Sequence, residues 1–235
     1  MRSYFYLIAF CLISLRSEAQ SAAQDRIRSN LATNQISGDA VLTTHFVERG
    51  LSMSNNTPAL NASFLYNLGS QVRMGFWGSN ISNITAADDS FWLKILAEFN
   101  VEFSGALKSE FYISDNHFYK SGQRNGQRLG ANFNYYSYFF GLEWMSNVEG
   151  TKNNGEYIYG GKMFGYGNRI KYGGQVGYTL SHHAALNSYF DLKAMAQYSL
   201  NSDAYFEIAA TLITNNSYFG KRGDPTISAS MNLAY

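Results

Sequence analysis

From Asp39 onward the chain alternates apolar and polar positions with a period of two, the pattern of a strand whose two faces meet different surroundings. Between positions 91 and 100, Phe91, Leu93, Ile95, Ala97 and Phe99 share one phase, while Trp92, Lys94, Leu96, Glu98 and Asn100 share the other. Every charge in this stretch falls on the second phase. In the same way Leu107, Ser109, Phe111 and Ile113 oppose Lys108, Glu110 and Tyr112. Ile170, Tyr172, Gly174, Val176 and Tyr178 oppose Lys171, Gly173, Gln175 and Gly177, and Phe190, Leu192, Ala194, Ala196 and Tyr198 oppose Asp191, Lys193, Met195 and Gln197. About twelve such segments follow one another, centred near Thr43, Ser63, Gly75, Ile95, Glu110, Ala131, Leu142, Gly160, Gly174, Ala194, Ala209 and Ser230. Each is close to the roughly 9 to 11 residues that a tilted strand needs to cross a bilayer.

The connections sort by length. Long polar stretches at 50–58, 80–90, 114–126, 147–155, 181–188 and 215–224 follow the odd-numbered segments, and short turns at 68–70, 101–104, 136–137, 165–168 and 200–203 follow the even ones. This bookkeeping predicts an all-β fold, a transmembrane antiparallel up-and-down β-barrel with loops at one end and tight turns at the other. A soluble barrel of the lipocalin type shares the period but carries its apolar residues inside. Three features favour the inverted arrangement. A twelve-stranded barrel filled with apolar side chains would leave a dry void. Aromatic residues crowd segment ends, as in Tyr135-Tyr136, Tyr138-Phe139-Phe140, Tyr157, Tyr159 and Tyr205-Phe206, where membrane interfaces favour amphipathic rings. Met231, Leu233 and Tyr235 form an alternating terminal strand that ends on an aromatic, which resembles the signal read by barrel-assembly machinery.

The expected pore-lining set is therefore Arg73, Lys94, Glu98, Lys108, Glu110, Arg128, Glu143, Lys162, Lys171, Asp191, Lys193 and Glu207, with an uncharged opposite phase. In the first segment His45 and Glu48 lie on opposite phases, and Glu48 is expected above the membrane.

Composition narrows the class further. The 235 residues are 46% hydrophobic and 16% aromatic but only 15% charged, which excludes disorder, and a net charge of +1 gives no general pull toward nucleic acid. Past the first dozen or so residues no apolar run approaches the roughly 18 to 20 of a spanning helix. Residues 1–19 read as a signal peptide, with Arg2 ahead of an apolar stretch and Ser17-Glu18-Ala19 at the cleavage site. A polar periplasmic leader at 20–37 and a barrel at 38–235 follow. Cys11 lies within the signal, so the mature chain has no thiol for a disulfide or a metal.

Short motifs cluster early: Ser37-Gly38-Asp39, Glu48-Arg49-Gly50-Leu51-Ser52 with Ser54, Pro58-Ala59-Leu60, and Gly75-Phe76-Trp77-Gly78-Ser79-Asn80-Ile81. In these residues the stretch from Ser37 to Ser82 resembles the opening of the TorF porin family. Thr44-His45-Phe46 and Asn61 depart from that pattern. Read physically, Arg49-Gly50 closes the first strand into its loop, Pro58 restarts the second, and Trp77 to Asn80 ends the third at the rim. The resemblance implies an outer-membrane barrel and names no substrate.

Other chemistry is sparse. Outer-membrane phospholipases join a Ser, a His and an Asn at a lipid-facing rim, so His45 in strand one, His117 in the third loop and His182-His183 in the fifth matter, but no motif unites them with a serine. Asp88-Asp89 lacks the spaced ligands of a calcium loop and reads as a solvated pair, and the Gly155 to Lys162 run has the wrong spacing for a phosphate loop. The expectation is a non-enzymatic porin-like channel without metal or cofactor in a Gram-negative outer membrane. Seven basic residues against five acidic ones on the lumen phase would tilt it weakly toward anions. Its expected partners are outer-membrane lipid and lipopolysaccharide, assembly machinery and small hydrophilic solutes, with no nucleic acid. The other reading is a closed structural or adhesive barrel that acts through its loops.

Overall fold

The computed structural model describes residues 36–82, 89–183 and 186–235. The expected signal peptide and most of the leader lie outside them, as does Asp88. The strands are β1 (Ile36–Ser37), β2 (Asp39–Thr43), β3 (Val47–Glu48), β4 (Leu51–Ser52), β5 (Ala59–Leu68), β6 (Val72–Asn80), β7 (Phe91–Glu102) and β8 (Leu107–Tyr119). They continue with β9 (Gly126–Tyr135), β10 (Tyr138–Met145), β11 (Gly155–Tyr166), β12 (Ile170–Ser181), β13 (Tyr189–Ser199), β14 (Ala204–Ile213) and β15 (Thr226–Ala234), with one helical turn, α1 (Asn216–Phe219), before the last.

Each strand from β5 to β15 pairs antiparallel with the next, and β2 pairs with both β15 and β5, which closes the sheet. Since β1 and β2 form one strand broken at Gly38, the barrel has twelve strands, and all twelve predicted centres lie on them. Closure matters physically because it leaves no unpaired backbone edge. Ile36 and Ser37 already pair with Tyr66 and Leu65, so the sheet includes two residues ahead of the expected boundary at 38.

The alternation translates directly into two surfaces. Along β5, Ala59, Asn61, Ser63, Leu65 and Asn67 are buried and the intervening Leu60, Phe64, Tyr66 and Leu68 are exposed. Met74, Phe76, Ile95, Ile113, Leu129, Leu142, Ile158, Val176, Leu192 and Ile208 continue this exposed apolar belt around the barrel. The outside is apolar and the inside polar, the inverse of a soluble barrel.

Two connections differ from expectation. The stretch at 114–126 is mostly strand, because β8 runs on to Tyr119 in register with Phe91, so His117 stands on β8 beside Asp115 at 3.1 Å. Its polar residues read as loop, yet beyond an apolar belt a ladder can continue with polar residues on both faces. The first strand ends at Thr43, and the chain then turns into the barrel, where β3 and β4 form a hairpin. Its two turn residues, Arg49 (φ 48°) and Gly50 (φ 76°), both adopt positive φ, as a two-residue hairpin of the I′ type requires. Arg49-Gly50 thus closes an inner hairpin rather than the first strand.

Candidate functional site

The inner hairpin fills the long-loop half of the lumen. Its Phe46 and Met53 pack against Trp77, Ile81, Trp92 and Phe118, while Leu51 packs against Tyr189 and Ile213 on the opposite wall. A Cβ on Gly50 would collide with Ile213 and Asp191, so only glycine lets the turn approach this wall. His45 is not in strand one; it sits in the bend before β3 and its Nε2 lies 2.6 Å from Ser52 Oγ.

Ionic contacts lock the hairpin in place. Glu149, from the β10–β11 loop, accepts hydrogen bonds from Arg49 of the plug (3.0 Å), Arg124 of the β8–β9 loop (3.0 Å) and Arg222 of the β14–β15 loop (2.7 Å). Glu48, expected above the membrane, is inside: Arg128 on β9 bonds it at 2.7 Å, and Lys94 on β7 lies 3.8 Å away. Glu143 closes the network 3.4 Å from Arg128. Burial alone would raise the Glu48 carboxyl, but Arg128, Arg49 and Lys94 outweigh it and hold the group at about 2. Burial likewise opposes ionisation of Glu149, and Arg124, Arg222 and Arg49 together hold it far below the usual carboxylate range. Lys94 also caps the faces of Trp92 (4.2 Å) and Trp77 (4.4 Å).

The motif residues build this plug and its frame. Pro58 precedes β5 at Ala59, Asn80 clamps that start by accepting from the Leu60 N–H (2.6 Å) and donating to the Pro58 carbonyl (3.1 Å), and the buried Ser79 donates to Asn61. Ser52 also accepts the Asn55 N–H at 3.0 Å.

Below the plug the interior opens. A cavity of about 500 Å³ runs between the hairpin and the β13–β15 and β2 wall, and two more, of about 410 and 340 Å³, lie toward the short-turn end. Tyr159 borders all three. Their walls are amides, phenols and paired charges: Arg73 with Glu98 and with Glu110 (3.1 Å), Lys193 with Glu207 (3.0 Å), Tyr159 donating to Asn132 (2.6 Å), and Tyr157 donating to Asp191 (3.1 Å). Lys108 and Lys171 stand on the same inward phase of β8 and β12 as Glu110 and Gln175.

Lys162 does not. On β11 the odd positions face inward, as Tyr157 and Tyr159 do, so Lys162 shares the outward phase of Ile158 and Phe164. Its Nζ donates to the Tyr138 hydroxyl (3.0 Å) and lies over the rings of Tyr138 (4.5 Å) and Phe164 (4.7 Å). The Gly160-Gly161 pair hides the alternation in sequence, and the charge on the outward phase is sustained by snorkelling into an aromatic rim.

The remaining chemistry takes other forms. Ser52 is 1% exposed and lies inside the plug, so the His45–Ser52 contact is not at a lipid-facing rim. Asp89 is not solvated: it is buried and accepts bonds from the Ser121 N–H (2.8 Å) and Oγ (2.9 Å). Gly155 to Lys162 is part of β11. His182 meets Glu156 at 2.7 Å, and among the described residues no group of His, Cys, Asp or Glu is placed to hold a metal.

A family model described as a bacterial protein of unknown function, Gcw_chp, matches residues 29–218. The chain belongs to the Gcw_chp family. That description differs from the TorF name its opening residues suggested. No curated protein matches the chain in sequence. In structure it is similar to KdgM porin, with a TM-score of 0.56 at 8% identity over 85% of this chain and 98% of that one. A KdgM porin in complex with disordered oligogalacturonate gives 0.55 at 7% identity over the same shares. At such identities the likeness concerns the barrel fold.

Proposed function

We propose that the chain is a channel of a Gram-negative outer membrane through which small hydrophilic solutes diffuse, its outer mouth narrowed by the inward first loop. One observation carries this reading: an unbroken apolar belt outside a polar, cavity-containing interior. A belt of that extent far exceeds the few hundred Å² of exposed apolar patch that a soluble monomer tolerates. In a bilayer it faces lipid, the long loops face outward and the short turns face the periplasm. The shared porin fold and the TorF resemblance of residues 37–82 support the same reading. Passive diffusion needs neither catalysis nor cofactor, and lipid, lipopolysaccharide and barrel-assembly machinery follow as partners.

The anion tilt read from the sequence counted Lys162, which faces outward. Around the three cavities stand seven carboxylates (Asp39, Glu48, Glu98, Glu110, Glu143, Asp191, Glu207) and five cations (Arg49, Arg73, Lys94, Lys171, Lys193). The reversal potential in a salt gradient is therefore expected at or beyond zero on the cation side, and Lys171→Glu is expected to move it further.

Single-channel recording of the refolded mature protein tests the channel. Steady openings support it, and silence from protein with a heat-modifiable gel shift sinks it. The plug favours a second reading, a closed barrel that acts through its loops, which such silence would select.

A further inference from the structure

The outer face carries a charge and a groove that the channel does not use. The Lys162 ammonium is held by a phenol and two rings and has no carboxylate within ion-pair reach among the described residues. It sits at a step in the short-turn rim: the β9–β10 hairpin turns at Tyr136-Ser137, the Met163 N–H bonds the Ser137 carbonyl (2.9 Å), and β11 runs on to Tyr166. Lys162 is therefore at the level where aromatic girdles meet lipid headgroups.

From this point an apolar groove crosses the barrel wall. Lys162 is in register with Gly174, Gly174 with Ala194, Ala194 with Ala210, and Ala210 with Ile227. Because Lys162 lies near the short-turn end and Ile227 near the long-loop end, this row climbs diagonally across the belt. A depression of about 540 Å³ follows it, walled by Val176, Leu192, Leu212 and Ile227 over the small side chains of Ala194 and Ala210.

We propose that this face binds one phospholipid, its headgroup phosphate on Lys162 and Tyr138 and an acyl chain in the groove. The inference rests on the membrane-barrel reading above. Charge complementarity selects the occupant. A lone ammonium at headgroup depth meets a lipid phosphate as its natural counter-ion, and the groove beginning beside it accepts the attached chain. The Tyr138 hydroxyl accepts from Nζ, which leaves its own O–H to donate to a phosphate oxygen.

The test is retention of dioleoyl phosphatidylglycerol by the detergent-refolded mature barrel, counted per protein by native mass spectrometry. Lys162→Gln is expected to lower retention about five-fold, and Ala194→Phe, which fills the groove without touching charge, to lower it comparably. Lys171→Gln, on the inner face, should retain lipid as the unaltered protein does, and diacylglycerol, which lacks the phosphate, should be retained no better by the unaltered protein than by Lys162→Gln. Unchanged phosphatidylglycerol retention in either the Lys162 or the Ala194 variant, each checked for the heat-modifiable gel shift, overturns the proposal. Conductance reads the channel separately, so a silent barrel that still retains lipid would remove the channel and leave this site standing.

Discussion

In the long-loop half of the lumen a single carboxylate, Glu149, gathers three arginines from three different segments, and every participant is at least nine-tenths buried at its side chain. In the short-turn half the charges meet mostly in pairs across neighbouring strands, and cavities of hundreds of Å³ remain between them. The difference lies in where the charges come from. Pairs on adjacent strands are satisfied locally and leave the centre to water, whereas charges from distant loops can meet only by crossing the lumen. Buried ions tolerate no missing partner, so the long-loop half is the more fragile of the two.

Glu149→Gln should break the contrast most strongly. Removing one carboxylate leaves three buried guanidinium groups without their shared counter-ion, a loss of about 3 to 5 kcal/mol. The expected outcome is rapid trypsin cleavage at Arg49 and a several-fold rise in conductance from a barrel that still shows the heat-modifiable gel shift. A plug that stays protected would show that its apolar contacts suffice.

Gly50→Ala acts on the same hairpin through sterics. The new methyl meets Ile213 and Asp191 at a positive φ, and the cost is expected at about 1 to 3 kcal/mol, seen as faster hydrogen exchange confined to residues 44–58.

Acid should act late. Glu48 and Glu149 have folded values below the unfolded 4.5, so their stabilisation is complete above about pH 4.5 and is lost as pH falls toward about 2. Conductance should therefore hold steady from pH 8 to 5 and rise only in stronger acid. A rise centred near neutral pH would assign the plug to other groups.

In the open half, Asn134→Ala should change stability by no more than about 0.5 kcal/mol while raising conductance modestly, because its side chain borders a cavity rather than a packed core. A large loss of thermal stability there would erase the distinction between the halves.

Much of this was legible in the residues. Strands such as β7 and β13 announce both their span and their faces, because lipid on one side and water on the other enforce a strict period of two. Tight turns and long loops likewise show in their lengths. The plug did not show, although Phe46, Leu51 and Met53 were a usable signal: apolar residues in a loop after the first strand have no lipid to face. Arg49 with Gly50 was also a hairpin dipeptide waiting for two short flanking strands. Lys162 was misplaced because two glycines in β11 carry no polarity from which to read the phase.

The sequence by itself determined the number of strands from local periodicity, the end at which the chain makes its tight turns from the lengths of the connections, and the apolar outer face from that period together with barrel width and the aromatic residues at segment ends. Only the tertiary structure decided that the first loop folds inward, that Glu48 lies inside and that Glu149 unites Arg49, Arg124 and Arg222. Those contacts join residues up to 173 positions apart in numbering from Arg49 to Arg222, and no local pattern encodes which loops will meet across a closed lumen. Closure of the barrel brings them together, and burial then makes their pairing obligatory.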